Sequence, residues 1–200
     1  MSPRTPKANQ QIRAERKEEI LNAAIKVFTH KGYAATKISD IAAAAEVSHG
    51  LVYHYFQSKE EVYGELADRL SQGASSLRLF VDGPGTPREK VHKMLAMMLG
   101  TVRSNPEFYV LAIQAISTEG VAPAAAEKVF KEGMAGQEAM ARVIAEGQAA
   151  GAFKPGDPKQ HFALLYAVIN GLAIAFTFSR YTRQAPLEVD ADTVLRLIEP

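Results

Sequence analysis

The sequence predicts an all-α protein with nine helices, arranged as a small N-terminal head and a larger C-terminal body. Apolar residues recur at intervals of three and four along most of the 200-residue chain, which is the helical spacing. No segment shows the sustained alternation of apolar and polar residues that is typical of a strand. Prolines and capping residues mark most helix starts. The clearest division lies at Gly83-Pro84-Gly85.

The head is predicted to contain three helices and to continue into a fourth. Their predicted ranges are 16–30, 38–45, 49–56 and 59–80. Gly32 suits the left-handed position that often follows a helix. Thr36, Ser48 and Ser58 are suitable N-caps for the second, third and fourth helices. Glu61 lies three residues after Ser58, which is the spacing of a capping box.

The body is predicted to contain five helices, most of which begin at or near a proline. Proline lacks a backbone N–H group, which a first helical turn does not need. The predicted ranges are 87–103, 106–118, 123–150, 158–181 and 190–198. These elements predict three regions: an N-terminal arm (1–13), a head (14–74) and a body (75–200).

Composition excludes several classes of protein. The 47% hydrophobic content is sufficient for a full core. The absence of cysteine excludes disulfides, thiol nucleophiles and thiolate metal sites. We find no uninterrupted run of about 18 apolar residues, and the polar N-terminus lacks the apolar segment of a signal peptide. We therefore expect a cytoplasmic protein with no membrane partner and no cofactor.

Charge is distributed unevenly along the chain. Residues 1–37 contain eight basic and three acidic side chains, although the net charge of the whole chain is only +1. Residues 1–13 contain two prolines and no apolar periodicity, so we interpret them as a mobile basic arm. A chain that binds a polyanion through one end has this asymmetry. A solvated basic tail without a partner is the alternative.

The second and third helices form a candidate helix-turn-helix. Such a pair can place its second helix in a major groove. The outward face of the third helix carries hydrogen-bonding groups and an aromatic ring but no carboxylate: His49, Gly50, Tyr53 and His54. An ordinary helical hairpin with a solvated polar face would show the same short pattern, and such motifs give many false matches.

A longer set of residues favours DNA binding. In order, the chain contains Ile20-Leu21, Ala23-Ala24, Phe28, Lys31-Gly32-Tyr33, Thr36, Ile41-Ala42, Val47-Ser48, Gly50, Tyr53, Phe56 and Ser58-Lys59-Glu60. In these residues the segment Ile20 to Leu66 resembles the DNA-binding head of the TetR (tetracycline-repressor-like) family of transcriptional regulators. The resemblance covers about the first third of the chain. It implies that residues 14–74 form a DNA-binding domain preceded by a basic arm, and that residues 75–200 form a domain for effector binding and dimerisation. Glu46 departs from the pattern, which commonly has glycine there, so we expect a strained or slightly different turn.

The candidate DNA-binding residues lie near the starts of the second, third and fourth helices. They are Thr36, Lys37, Ser39, Ser48, His49, Gly50, Tyr53, His54 and Lys59. Free N–H groups at the start of the second helix favour a phosphate. The resemblance implies phosphate contacts there, at Tyr53 and at the start of the fourth helix. His49 and Gly50 are best placed to meet base edges.

A homodimer is the expected assembly, because a small head gains affinity by binding two half-sites. The eighth helix is apolar around most of its circumference, and the resemblance implies dimerisation through the last two helices. The predicted interface residues are Leu164, Ala167, Val168, Gly171, Leu172, Ala175 and Phe176. A central helix buried in a monomer is the alternative.

A small apolar or amphipathic effector is the other expected partner. Methionine side chains adapt to irregular apolar ligands, and a few polar groups among apolar ones can orient them. The candidate pocket residues are Met94, Met97, Met98, Phe108, Gln114, Phe130, Met134, Tyr166 and Asn170. Residues of these types more often form plain core.

The leading hypothesis is a ligand-responsive repressor that binds a palindromic operator as a dimer and is released by a small molecule. An activator, or a regulator that responds to a protein partner, is the alternative. An all-helical enzyme has no support, because the sequence contains no nucleophile motif and no phosphate-binding loop. The five histidines have no metal-ligand spacing, so no metal site is predicted.

Overall fold

The computed structural model describes residues 6–117, 123–182, 185 and 187–200, and within these residues all regular structure is helical. The helices are α1 (Pro6–Lys31), α2 (Ile38–Ala44), α3 (His49–Tyr55), α4 (Lys59–Ser75), α5 (Leu77–Asp82), α6 (Pro87–Ser104), α7 (Glu107–Ser117), α8 (Pro123–Ala149), α9 (Pro158–Thr182) and α10 (Ala191–Leu195). The predicted all-α architecture is confirmed. Most predicted boundaries lie within about two residues of these ends.

The predicted fourth helix is divided into α4 and α5, which together correspond to one of the nine predicted helices. The Ser75 hydroxyl donates to the Ser71 carbonyl at 2.6 Å, and the Ser76 hydroxyl donates to the Gly73 carbonyl at 2.6 Å. Serine side chains that bond to carbonyls of the preceding turn compete with the helical N–H groups and often bend a helix. The regular helix therefore stops at Ser75 and restarts at Leu77.

The N-terminal helix is longer than predicted. It begins at Pro6, so residues that we expected in the mobile arm are helical, while residues 1–5 lie outside the described part. Proline is accepted in a first turn. Side-chain pairs one turn apart, Gln11 with Glu15 and Arg16 with Glu19, support the polar part of the helix. Gly32 follows the helix with φ +76°, as predicted.

Two hydrophobic cores are present. The head core contains the inward residues of α1 to α4, and it is completed by Leu111 and Ala115 of α7 and Val129 of α8. The body core is formed mainly by α6, α8, α9 and α10. Phe108 and Ala112 of α7 also pack against the head core. Tyr109 of α7 lies in the body core, so helix α7 belongs structurally to both regions.

Helix α9 is unusually apolar. Its segment Pro158–Ser179 has a mean hydropathy of 1.9 and is long enough to cross a membrane, although only 33% of the most apolar window is buried within the chain. We expected no such segment, because Lys159, His161 and Asn170 interrupt the apolar sequence. Core helices of this length give the same signal. One side of α9 fills the body core, and the other is exposed.

Candidate nucleic-acid interface

Helix α3 is held on the head by a narrow buried face. Val52 and Phe56 are buried in the head core. The Ser48 hydroxyl accepts the Leu51 N–H at 3.1 Å and caps the first turn, as predicted. The opposite face therefore points to solvent in a fixed orientation.

The exposed face of α3 contains the predicted base-reading residues. His49, Gly50 and His54 are exposed, and Tyr53 keeps 49% of its surface accessible. The rings of His49 and Tyr53 pack edge to face, with centroids 4.9 Å apart. This contact restricts both side chains before any ligand arrives. No carboxylate lies within α3 itself.

The turn before α3 is strained, as expected. Glu46 has φ +55° and is the only non-glycine residue with a positive φ in the described part of the chain. The left-handed conformation costs an L-residue about 1–2 kcal/mol because its Cβ approaches a carbonyl. The Val47 N–H donates to the Ala42 carbonyl at 3.0 Å and closes the turn.

The start of α2 already contains a carboxylate. Lys37 and Ser39 are exposed, but Asp40 accepts the Lys37 backbone N–H at 2.8 Å and the Lys31 ammonium at 2.6 Å. The Lys31 hydrogen bond, followed by the one from Lys37, lowers the pKa of Asp40. Asp40 occupies part of the site at which free N–H groups would attract a phosphate.

Two predicted contacts are engaged inside the head. Thr36 does not cap α2, since Lys37 occupies that position; instead Thr36 is buried and its hydroxyl donates to the Gly32 carbonyl at 2.7 Å. The Lys59 ammonium donates to the Tyr33 carbonyl at 2.9 Å and lies 4.4 Å from the centre of the Tyr33 ring. An ammonium has three donors, so Lys59 can hold this loop and still reach a phosphate.

The body contains a cavity of about 420 Å³ enclosed by residues of α4 to α9. Six predicted pocket residues line it: Met97, Met98, Phe108, Phe130, Met134 and Tyr166. Three others lie elsewhere. Met94 is in the body core, the Gln114 amide donates to the Thr29 carbonyl at 3.0 Å, and the Asn170 side-chain oxygen is buried with no partner in the described part of the chain.

The prediction missed the polar part of the cavity lining. Asn105 and Gln137 both line it, together with Thr101 and Ser76. These residues come from separate helices and linkers, so no sequence spacing groups them. Gly73 also lines the cavity; a Cβ at that position would lie 3.2 Å from the Phe108 ring, so glycine permits this close packing.

The exposed side of α9 is apolar, as predicted. Some of the large residues on it, however, are not those of the predicted interface. Leu164, Ala167, Gly171 and Ala175 are exposed, and Val168 is half-buried. Leu172 and Phe176 instead pack in the body core, because they lie on the opposite side of the helix. Ile174 and Phe178, which we did not predict, are 54% and 64% exposed.

Two protein-family descriptions match the sequence. Residues 20–66 match bacterial regulatory proteins of the tetR family. Residues 87–195, more than half of the chain, match the tetracyclin repressor-like C-terminal domain. The chain belongs to the TetR family. It is therefore a DNA-binding transcriptional regulator, with α2 and α3 as its helix-turn-helix.

Two HTH-type transcriptional regulators are similar to this chain over nearly its whole length. The uncharacterized HTH-type transcriptional regulator YhgD of Bacillus subtilis is 31% identical over 186 residues, which is 92% of this chain and 93% of that protein. The HTH-type transcriptional repressor NicS of Pseudomonas putida is 24% identical over 178 residues, with 87% and 81% covered.

Solved structures show the same TetR fold. The MbdR regulator from Azoarcus sp. CIB matches with a TM-score of 0.72 at 20% identity, over 91% of this chain and 94% of its own. The PfmR regulator from Thermus thermophilus matches with a TM-score of 0.68 at 24% identity, over 89% and 93%. At these identities the likeness concerns the fold alone.

Proposed function

We propose that this TetR-family regulator is a repressor that binds a palindromic operator as a homodimer and is released by a small-molecule effector. His49, Gly50, Tyr53 and His54 would meet the major groove, with Lys37, Ser39 and Lys59 near the phosphates. Their exposure, and the lack of a carboxylate on α3, support these roles. The NicS relative is named as a repressor, which supports the direction of regulation.

The position of α7 is the observation that supports the proposed ligand response. Phe108 and Ala112 line the cavity and also pack against the head core, while Leu111 and Ala115 are buried in that core. The Gln114 amide adds a hydrogen bond to the Thr29 carbonyl near the end of α1. A ligand that displaces α7 therefore acts directly on the packing of the head.

Release requires an effector that binds one body conformation more tightly than the other. An effector lowers operator affinity only by the difference between its affinities for the two body conformations. The two recognition helices of a dimer must lie about 34 Å apart to enter successive major grooves. Displacement of α7 or of α4, which also lines the cavity, would alter this separation.

The homodimer is supported by the exposed apolar side of α9, because an uncovered apolar helix face of this length is unusual on a monomer. Gly171 lies at the centre of this face, and a Cβ there meets no atom within 4 Å in the monomer. Gly171→Arg should preserve the fold but prevent close contact with a partner helix. Light scattering should show a monomer, while Gly100→Arg, at an exposed glycine of α6, should remain dimeric. A dimeric Gly171→Arg variant would contradict this interface.

Selection of bound duplexes from a random-sequence pool tests the operator. We expect an inverted repeat with half-site centres about 34 Å apart or a multiple of that spacing, bound by an even number of chains. Recovery of an asymmetric site bound by a single chain would contradict the proposal.

Variants of the DNA face test the assigned contacts on the selected duplex. His49→Ala should weaken binding by about tenfold, in line with the loss of one base contact of about 1–3 kcal/mol. Lys131→Ala removes a cation from an exposed position on α8, remote from α3, and should bind as the parent does. Equal affinities for the parent and both variants would remove His49 from the interface.

A further inference from the structure

The cavity of the body has no formal charge in its described lining. All nineteen residues that line it are apolar or neutral and polar, and none is Asp, Glu, Lys, Arg or His. Burial of an ionised group without a nearby opposite charge costs several kcal/mol after relaxation of the protein. The lining therefore disfavours carboxylates, phosphates and ammonium ions wherever they would be enclosed.

The partly exposed residues of the lining are also apolar. Met97 of α6 and Phe130 and Met134 of α8 line the cavity while keeping between 37% and 53% of their surface accessible. A contiguous exposed apolar patch, as opposed to a single exposed side chain, is typical of ligand-binding grooves and interaction sites. A ligand that enters between α6 and α8 would contact two methionines and one phenylalanine. None of these three side chains is charged.

The cavity lining includes one phenol whose hydroxyl has no protein partner in the described part of the chain. Tyr109 is only 8% exposed as a residue and lines the cavity. Its hydroxyl is not among the fully buried polar atoms that lack a hydrogen bond, which belong to Tyr63 and Asn170, so it stays open to the cavity. A ligand oxygen that accepts from Tyr109 would add one neutral hydrogen bond, worth about 0.5–1.5 kcal/mol.

The phenols of the cavity stay protonated. Burial, and then the charge that Tyr166 would carry, raise the pKa of Tyr109, and burial raises the pKa of Tyr166. Both groups are therefore donors at neutral pH. The Tyr166 ring stacks on Phe162, with ring centres 5.9 Å apart, and this contact restricts the Tyr166 side chain.

We propose that the cavity binds an uncharged, mainly apolar molecule that carries a hydrogen-bond acceptor such as a ketone or ester oxygen, held by the Tyr109 hydroxyl. Asn105 and Gln137 provide further neutral donors and acceptors in the lining. A volume of about 420 Å³ falls within the range of small-molecule sites. The inference rests on the proposed function, because it names the class of effector for this cavity.

Two fluorescent probes with the same aromatic skeleton test the charge requirement. N-phenyl-1-naphthylamine is neutral, and 8-anilino-1-naphthalenesulfonate adds one sulfonate. We expect the full-length dimer to bind the neutral probe at least about tenfold more tightly, since each factor of ten needs only about 1.4 kcal/mol. Equal or tighter binding of the sulfonate in the cavity would overturn the proposal.

A cavity-filling variant assigns the probe to this site. Gly133 lines the cavity, and a Cβ at this helical position meets no atom within 4 Å. Gly133→Leu should abolish binding of the neutral probe while keeping helical content. Gly100→Leu, at a glycine that is equally open but outside the lining, should bind the probe as the parent does. Unchanged binding in Gly133→Leu would place the probe elsewhere and overturn the assignment.

Displacement of the neutral probe tests the acceptor. Methyl octanoate should displace it at a concentration at least about tenfold lower than octanoate, which is ionised at pH 7.5. Tyr109→Phe should weaken the ester by about three- to tenfold, as expected for one neutral hydrogen bond, once the displacement is corrected for the probe affinity measured in the same variant. An unchanged ester affinity would overturn the role of Tyr109, and equal potency of octanoate would overturn the neutral class.

Fluorescence anisotropy of a labelled operator duplex, measured under the same conditions, distinguishes this proposal from the repressor mechanism. Binding of the neutral compounds with no change in DNA affinity would contradict release by this cavity and support the ligand class. Release of DNA by octanoate, abolished in Gly133→Leu, would support release and overturn the ligand class.

Discussion

The head and the body use the same kind of helix in opposite ways. The head buries one face of α3 so that polar residues remain outside, and its function depends on what is exposed. The body leaves a cavity between its helices, and its proposed response to a ligand depends on that cavity. One packed core is enough to orient a surface, whereas a ligand site requires several helices to pack incompletely at one place.

The largest expected effect on stability concerns two phenylalanines, one in the head core and one in the cavity lining. Phe28 is fully buried in the head core, and Phe130 lines the cavity with 53% of its surface exposed. Phe28→Ala should lower the free energy of unfolding by about 3–5 kcal/mol. Phe130→Ala should lower it by about 1 kcal/mol or less, because an exposed side chain loses little packing. Urea titration measures both, and equal losses would mean that the cavity wall is ordinary core.

The link between the two regions gives the next largest effect. Gln114→Leu removes the hydrogen bond to the Thr29 carbonyl and leaves that carbonyl without its partner, at a cost of about 1–3 kcal/mol. We expect lower stability and a smaller effect of any cavity ligand on operator affinity. Gln72→Leu makes the same change at an exposed glutamine of α4 that lies outside the cavity lining, and it leaves the α1–α7 bond intact. If both variants keep the full ligand effect, the Gln114 bond does not couple the regions.

A smaller effect is expected at the turn that aims α3. Glu46→Gly should raise the free energy of unfolding by about 1 kcal/mol, because glycine adopts a positive φ without a steric cost, although it loses more entropy on folding. Glu46→Ala keeps the Cβ and removes only the carboxylate. Thermal unfolding should therefore show a gain for glycine and none for alanine. An equal gain in stability for both variants would mean that the gain comes from loss of the Glu46 charge.

The smallest expected effect concerns the carboxylate at the start of α2. The pKa of Asp40 is lowered below its ordinary value of 3.8, so its stabilising contribution is complete above that value and disappears as pH falls through the lower folded pKa. The difference in stability between the parent and Asp40→Asn should be present at pH 7 and shrink below about pH 4. A difference that is independent of pH would assign the effect to hydrogen bonding alone.

The head could be predicted closely because its signals are local. Ser48 caps α3 three residues before its partner N–H, Ser58 caps α4 in the same way, and the inward positions of Val52 and Phe56 follow from helical spacing. Thr36 was misassigned because its preferred acceptor, the Gly32 carbonyl, lies behind it in the chain. A threonine can cap the helix that follows it or donate to a carbonyl that precedes it, and the sequence around Thr36 is compatible with either pattern.

The body could be predicted only in outline because its contacts join distant residues. Gln114 bonds to a carbonyl 85 positions earlier, which no local pattern indicates. Helix α9 is apolar on both sides, so the sequence cannot distinguish Leu172 and Phe176, which face the core, from Ile174 and Phe178, which face solvent. A cavity has no sequence signal of its own, since its lining consists of ordinary core residue types.

Helix α7 has a consequence for folding as well as for signalling. Leu111 and Ala115 complete the head core, so a fragment that ends after α5 would lack part of its own interior. We expect such a fragment to be poorly folded, and the intact chain to lose both regions in a single cooperative transition. Local opening of the head alone would expose the buried face of α7 to water, so hydrogen exchange in α1 and α7 should proceed at similar rates.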